Sequence, residues 1–305
     1  MASVSRRAAR GRTDRTTTNC DGIHVPCTYA KIGEVNADLS RVLATEFTDT
    51  TPFTIHSDDA PTFYVTGNPG QTDLTTRNLE RDVGALTAIN PITGNNDVLT
   101  AAMADQIEQK LLHMVTADPN RTPTFIMFAN PDYFLFAYGT TTPCAPLSGC
   151  FIESPGFAWN HGDFQEQITN TWLAMVGPGV LSQGPTGATF SDHTDIRPTI
   201  LGLSGLADDY QHDGRVLYEL FDQAALPGTV KQERDTLIRL GQAYKDINAP
   251  LGTLGRRTLM VSTTGVEGDD AIYAIVEGEL NGIEAQRQAI AGQMIALLEA
   301  VEFGG

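Results

Sequence analysis

Imidazoles and carboxylates crowd into two short polar stretches of this 305-residue chain. The first is Trp159-Asn160-His161-Gly162-Asp163, a polar turn ahead of the apolar run Thr171 to Val176. An imidazole flanked by an amide and a carboxylate offers the nitrogen and oxygen donors that suit a hard or borderline divalent cation. The second is Asp192-His193-Thr194-Asp195, which opens a predicted helix from Ile196 to Leu206 with Pro198 in its first turn. There His193 could point into a cleft at a helix start, while Asp195 stands where an N-cap belongs. Asp132 is a third candidate, because it follows the apolar run Thr122 to Phe128, and open α/β sheets bind ligands at the carboxyl ends of their strands.

Each candidate also has a plainer alternative. His161 would sit in a surface turn with Asp163 capping Phe164 to Ile168, Asp192 and Asp195 would be helix caps, and Asp132 would be a turn former after Pro131. His113 reads as a packing or boundary residue in mid-helix, and His24, His56 and His212 have no second ligand at useful spacing, though Asp58-Asp59 lies close to His56. The phosphate-cradling Gly-rich loop, the dinucleotide fingerprint, His-Glu-x-x-His and the Gly-x-Ser-x-Gly elbow are all absent from the sequence. Any site must therefore be assembled from distant residues.

Rigid elements must hold such groups in place. Thr171 to Val176 predicts a strand ending at Gly177-Pro178-Gly179, and Thr122 to Phe128 has the continuous apolar pattern of a strand buried on both faces, as in a parallel sheet. Pro61 to Thr66 predicts a strand closed by Gly67-Asn68-Pro69-Gly70, and Arg257 to Thr263 another. Helices are predicted over Asn36 to Phe47, from an Asp73 cap to about Thr87, from Asp97 to about Ala117, over Val230 to Ile247 and over Asn281 to Glu302. Strands alternating with helices predict an α/β fold, a three-layer sandwich with a largely parallel sheet flanked by helices. Residues 1–28 read as a disordered tail, 29–120 as a helical, insert-like region with a short strand, and 121–305 as the α/β domain proper.

Composition narrows the function classes. Hydrophobic residues are 41% and charged residues 19%, a globular balance. The formal net charge of -17 argues against nucleic acid or an anionic membrane as the main partner, and no run reaches the ~20 apolar residues of a membrane span. The cysteines fall in two close pairs, Cys20 with Cys27 and Cys144 with Cys150, neither at the two-residue spacing of a zinc knuckle. Local disulfides would imply an oxidising compartment, extracellular or periplasmic; four reduced thiols are the alternative.

Three pieces, taken in order, resemble the C-terminal part of the alkaline phosphatase superfamily, which includes sulfatases, nucleotide phosphodiesterases and cofactor-independent phosphoglycerate mutases. Asn160-His161-Gly162 is similar to the family's Asp-His-Gly metal motif, with Asn in place of Asp. Trp172 to Val180 resembles the strand and Gly-Pro-Gly turn that follow it. Asp195-Ile196-Arg197-Pro198-Thr199-Ile200-Leu201 and Asp213-Gly214-Arg215-Val216-Leu217 resemble the Asp-x-x-Pro-Thr-Leu-Leu helix and the Asp-Gly-Arg-Ser-Leu segment.

The resemblance implies a hydrolase in which two metal ions activate a Ser, Thr or formylglycine nucleophile against a small phosphate or sulfate ester. It implies that His161 and Asn160 belong to one metal's half-site and Asp132 and His193 to the other, with Asp163 and Asp192 beside them, and that zinc, manganese or calcium is the ion. On this basis His161 and His193 should approach each other at the carboxyl edge of the sheet. Nothing before Cys20 resembles the family's first strand with its aspartate, and no nucleophile turn is found. The expectation is therefore a truncated chain lacking the usual N-terminal strands. The alternative is a non-catalytic, secreted binding or structural module that kept the sandwich and lost the chemistry. The sequence leaves the oligomeric state open.

Overall fold

The computed structural model describes residues 35–47, 52–56, 60–139, 142–154, 161–207 and 209–303. The expected N-terminal tail, the Cys20/Cys27 pair and Asn160 lie outside the described residues. In order, the elements are β1 (Val35–Asp38), α1 (Leu39–Glu46), β2 (Phe53–His56), β3 (Thr62–Val65), α2 (Leu74–Gly84), β4 (Thr87–Ile89), β5 (Asn96–Val98) and β6 (Thr100–Ala104). There follow α3 (Gln106–Leu111), β7 (Phe125–Ala129), β8 (Tyr133–Phe136), β9 (Phe151–Glu153), α4 (Glu166–Thr169), α5 (Ile196–Ser204), α6 (Gly228–Asn248), α7 (Thr253–Glu267) and α8 (Asp270–Glu302).

The expected parallel sandwich is not what forms. Strands lie in a four-stranded sheet ordered β2-β3-β7-β6, a three-stranded sheet ordered β8-β1-β9 and a β4-β5 hairpin. Among the described residues every strand pairing is antiparallel except β1 with β8. The misleading signal was β7. Its five residues are all buried, as the apolar run demanded, but its neighbours β3 and β6 both run against it. A continuous apolar run reports burial on two faces and carries no information on strand direction.

Other expectations shift for similar reasons. The helix foreseen from Asp97 to Ala117 is instead two strands and the short α3. Between Leu99 and Ala104 nearly every side chain is buried, so the apolar positions fit a period of 3.6 or 2 equally well. Arg257 to Thr263, foreseen as a strand, lies inside α7. Thr171 to Val176 belongs to no strand.

The chain divides into two compact units, each interrupted along the sequence. One comprises residues 1–106, 115–170 and 262–273, the other 107–114, 171–261 and 274–305. The first unit holds the sheets and a core in which the Phe63 and Phe125 rings stack at 4.5 Å. Asp73 caps α2 by accepting from Thr75 N at 2.8 Å, and the buried Arg77 on that helix donates to the carbonyls of Val266 (3.0 Å) and Gly268 (3.1 Å) at the end of α7. A cation placed on unpaired carbonyls at a helix C-terminus is favourable both as a hydrogen-bond donor and against the helix dipole. The second unit is helical, with a core formed by Val216, Tyr218, Phe221, Leu237, Tyr244, Ile295 and Leu298. Among the described residues no helix is long and apolar enough to cross a membrane.

Candidate functional site: two histidine-bearing bends

In the first unit His161 is exposed and Asp163 is buried. Gly162 between them takes φ 92°, a left-handed conformation that costs glycine little and other residues more. Asp163 accepts from Phe164 N at 2.7 Å. The next two side chains anchor the bend to the end of β7: the Phe164 ring meets Phe128 edge-on at 5.5 Å, and Gln165 Nε2 donates to Ala129 O at 3.0 Å.

Asp132 lies just beyond the same end of β7, in the turn before β8. Its backbone N–H is held by Asn130 Oδ1 (3.3 Å) and its carbonyl accepts from Val35 N (2.9 Å). The fully buried Asn90 amide points at Asp97 Oδ2 (2.9 Å) and, more weakly, at Asp132 Oδ2 (3.5 Å). Tyr133 also donates to Asp97; burial, reinforced by the Asp97 charge, pushes its phenol up. Asp132 is thus a turn residue in a hydrogen-bonded cluster, at the strand end where His161 is also carried.

In the second unit a single turn of 3-10 helix, His193–Asp195, leads into α5. Asp192 caps this turn, accepting from Thr194 N at 2.9 Å, while Asp195 Oδ2 accepts from Asp192 N at 3.0 Å, a reciprocal capping box. Asp195 was expected to cap α5; instead its carboxylate turns inward and its Oδ1 accepts from Arg215 N at 2.9 Å. His193 is left exposed.

Beneath the turn sits Lys245, only 2% exposed, with Nζ 2.7 Å from Asp192 Oδ2, 3.2 Å from Asp195 Oδ1 and 3.0 Å from Thr194 Oγ1. Burial works to raise both carboxyls. At Asp192 the Lys245 charge and the hydrogen bonds from Lys245 and Thr194 prevail and hold it below the usual range. At Asp195 burial prevails and pushes the carboxyl up.

The two segments that carried the family resemblance here are tied to each other. Besides Asp195 and Arg215, Thr199 Oγ1 accepts from Leu217 N at 3.1 Å. Gly214 passes so close to the turn that a Cβ on it would lie 2.0 Å from Thr194 O. Arg215, 1% exposed, forms a two-pronged ion pair with Glu219 at 2.9 and 2.8 Å. Gly241 on α6 leaves room for it, since a Cβ there would be 2.6 Å from Arg215 Cδ.

Sequence reasoning missed Lys245, Arg215 and His113 as members of polar networks. The signal for Lys245 was its place on α6 in register with the buried Leu237, Gly241, Tyr244 and Asn248, a cation on the core face of a helix. His113 has φ 55°, unusual for a residue other than glycine. Its Nε2 lies 2.8 Å from Arg287 Nη1 and its Nδ1 3.8 Å from Asp213 Oδ2. The nearby His113 imidazole is the largest influence holding the Asp213 carboxyl below its usual range.

Of the six predicted ligands, His161, Asp163 and Asp132 fall in the first unit, and Asp192 and His193 in the second, with Asn160 outside the described residues. Among the described residues no three His, Cys, Asp or Glu side chains gather as a metal would require. Cys144 and Cys150 form a disulfide, compatible with an extracellular location. Comparison with family models, with curated proteins and with solved structures gave no match.

Proposed function

We propose that the chain derives from metal-dependent hydrolases of small phosphate or sulfate esters, and that His161 and His193 are its retained ligands for zinc, manganese or calcium. One observation carries this reading, the common build of the two bends. In His161-Gly162-Asp163 and in His193-Thr194-Asp195 the imidazole is exposed, and the acid two residues on is buried and hydrogen-bonded to backbone N–H groups. An acid that fixes the turn presents the imidazole on a rigid support, as a liganding group requires. Asp163 and Asp195 then act as supports, Asp192 caps the second turn, and Asp132 and Asn160 remain as oxygen donors. Because no three-ligand cluster stands among the described residues, no catalytic step is assigned to a bound metal. The disulfide accords with an extracellular or periplasmic setting for this activity.

A second reading, a non-catalytic secreted binding or structural module, is favoured by Lys245, whose ammonium engages the Asp192 carboxylate and lies beside Asp195. Calorimetric titration with each of the three cations, beside turnover of an aryl phosphate and an aryl sulfate, separates the two. The hydrolase reading expects His161→Ala and His193→Ala each to weaken cation binding by about tenfold or more and to abolish turnover. Cation binding without turnover selects the module, and an absence of binding removes the metal-dependent reading.

A further inference from the structure

The end of α8 places acid where a helix is least able to hold it. Glu302 is the last residue of that helix, Glu299 stands one turn earlier, and the last turn carries no basic side chain. The carbonyls at a helix C-terminus are unpaired and carry partial negative charge, so a carboxylate there is opposed by the helix itself as well as by the second acid. The surroundings are also apolar. Leu298 is buried in the core of the second unit, and Val301 and Phe303, on either side of Glu302, pack against the same core. Glu302 Oε1 is sealed from solvent and has no hydrogen-bond partner among the described residues. The carboxyl's partner is the phenol of the buried Tyr218, in the single 3-10 turn Tyr218–Leu220. The Arg215 charge also reaches Glu302, but that guanidinium is committed to its two-pronged pair with Glu219, and Arg234 of α6 donates to the Tyr218 carbonyl at 3.0 Å. Burial outweighs the Tyr218 and Arg215 contacts and, with the Glu299 charge, pushes the carboxyl from 4.5 up to about 7.

We propose that Glu302 is a proton-operated latch: its neutral carboxyl docks the last turn of α8 against Tyr218, and loss of the proton releases that turn. Protonated, the group sits beside Tyr218 and the apolar side chains with no buried charge and no conflict with the helix dipole. Ionised, it has one phenol to satisfy two acceptor oxygens, and it recovers its hydration by leaving. A helix end is free to do this alone, because terminal turns open at the lowest cost of any part of a helix. Release exposes Val301 and Phe303, which the docked turn holds against the core. The docked state has the raised pKa, so the latch is fully closed below about 4.5 and loosens as pH rises through about 7.

Amide hydrogen exchange of the full chain from about pH 5 to about pH 8, corrected for the intrinsic pH dependence of exchange, tests this. The opening equilibrium of the last turn of α8 should rise by roughly fiftyfold over that range, as a group moved from 4.5 to about 7 requires. Glu302→Gln keeps the shape and the Tyr218 contact but cannot ionise, so it should retain the wild-type circular dichroism and hold the turn closed at both ends of the range. Glu299→Gln, which removes the neighbouring charge, should keep the transition and move its midpoint to lower pH. Carbon NMR of the Glu302 carboxyl should show it titrating near 7 rather than near 4.5. Opening that stays level with pH in the wild type overturns the inference, as does a rise that survives in Glu302→Gln. A Glu302 carboxyl that titrates near 4.5 overturns it as well.

Discussion

Lys245 shows how much of the second unit depends on a single side chain. Its buried ammonium faces Asp192, Asp195 and Thr194, and Asp195 in turn holds the Arg215 backbone. Removing the cation leaves two acids in a poorly solvated place, so Lys245→Met should cost about 3–5 kcal/mol. Urea unfolding should show this as a lower midpoint with little change in slope. In the first unit Glu80 is buried against Arg77 and near Asp105; burial outweighs the cation and pushes its carboxyl from 4.5 up to about 8. With the folded pKa raised, its contribution to stability is complete below about 4.5 and is lost as pH rises through about 8. Unfolding free energy measured from pH 4.5 to 8 should therefore decline by an amount that Glu80→Gln removes, on the order of a few kcal/mol at ~1.4 kcal/mol per unit of displacement. Glu302, pushed up to about 7 chiefly by burial, adds a slope of the same sign over a narrower window.

At the scale of elements, the helices were the most legible. α6 and α8 carry regular apolar spacing, α2 begins at the capping Asp73, and α5 stops at Gly205 with φ 62°. Strand direction was not legible, because β7 is equally apolar whichever way β3 and β6 run beside it. Nor was the state of Arg257 to Thr263: its Thr, Leu, Met and Val favour a strand locally, yet the segment lies within a helix whose Leu259, Ser262 and Thr263 are buried. The chemistry of the bends was visible as residue types, but the orientation of each acid was not. Asp195 turns inward because Lys245, far along the sequence, waits there.

The Cys144–Cys150 link was legible from spacing, and it closes a short loop between β8 and β9. Reducing it should lower stability by ~2 kcal/mol on the chain-entropy account. The melting temperature with and without a thiol reductant, compared with the Cys144→Ala, Cys150→Ala variant, measures that loss; agreement between reduced wild type and variant would assign it to this loop.

For the whole molecule, charge is the governing quantity. At -17 and a sequence pI near 4.6 the folded chain repels itself at neutral pH. Raising ionic strength from ~0.01 M to ~0.15 M shortens the Debye length from ~30 to ~8 Å. Thermal melts over that range should shift upward by a few degrees, a trend opposite to that of a fold held by surface ion pairs.

The division of the chain has a further consequence. Helices α7 and α8 each contribute residues to both compact units, and neither unit is a continuous stretch of sequence. No single cut, whether by a protease, a stop codon or a gene fusion, can release one half with all its pieces. Neither unit can therefore be inherited or cut out as one uninterrupted segment, and residue 262 marks the point where α7 passes from one unit to the other.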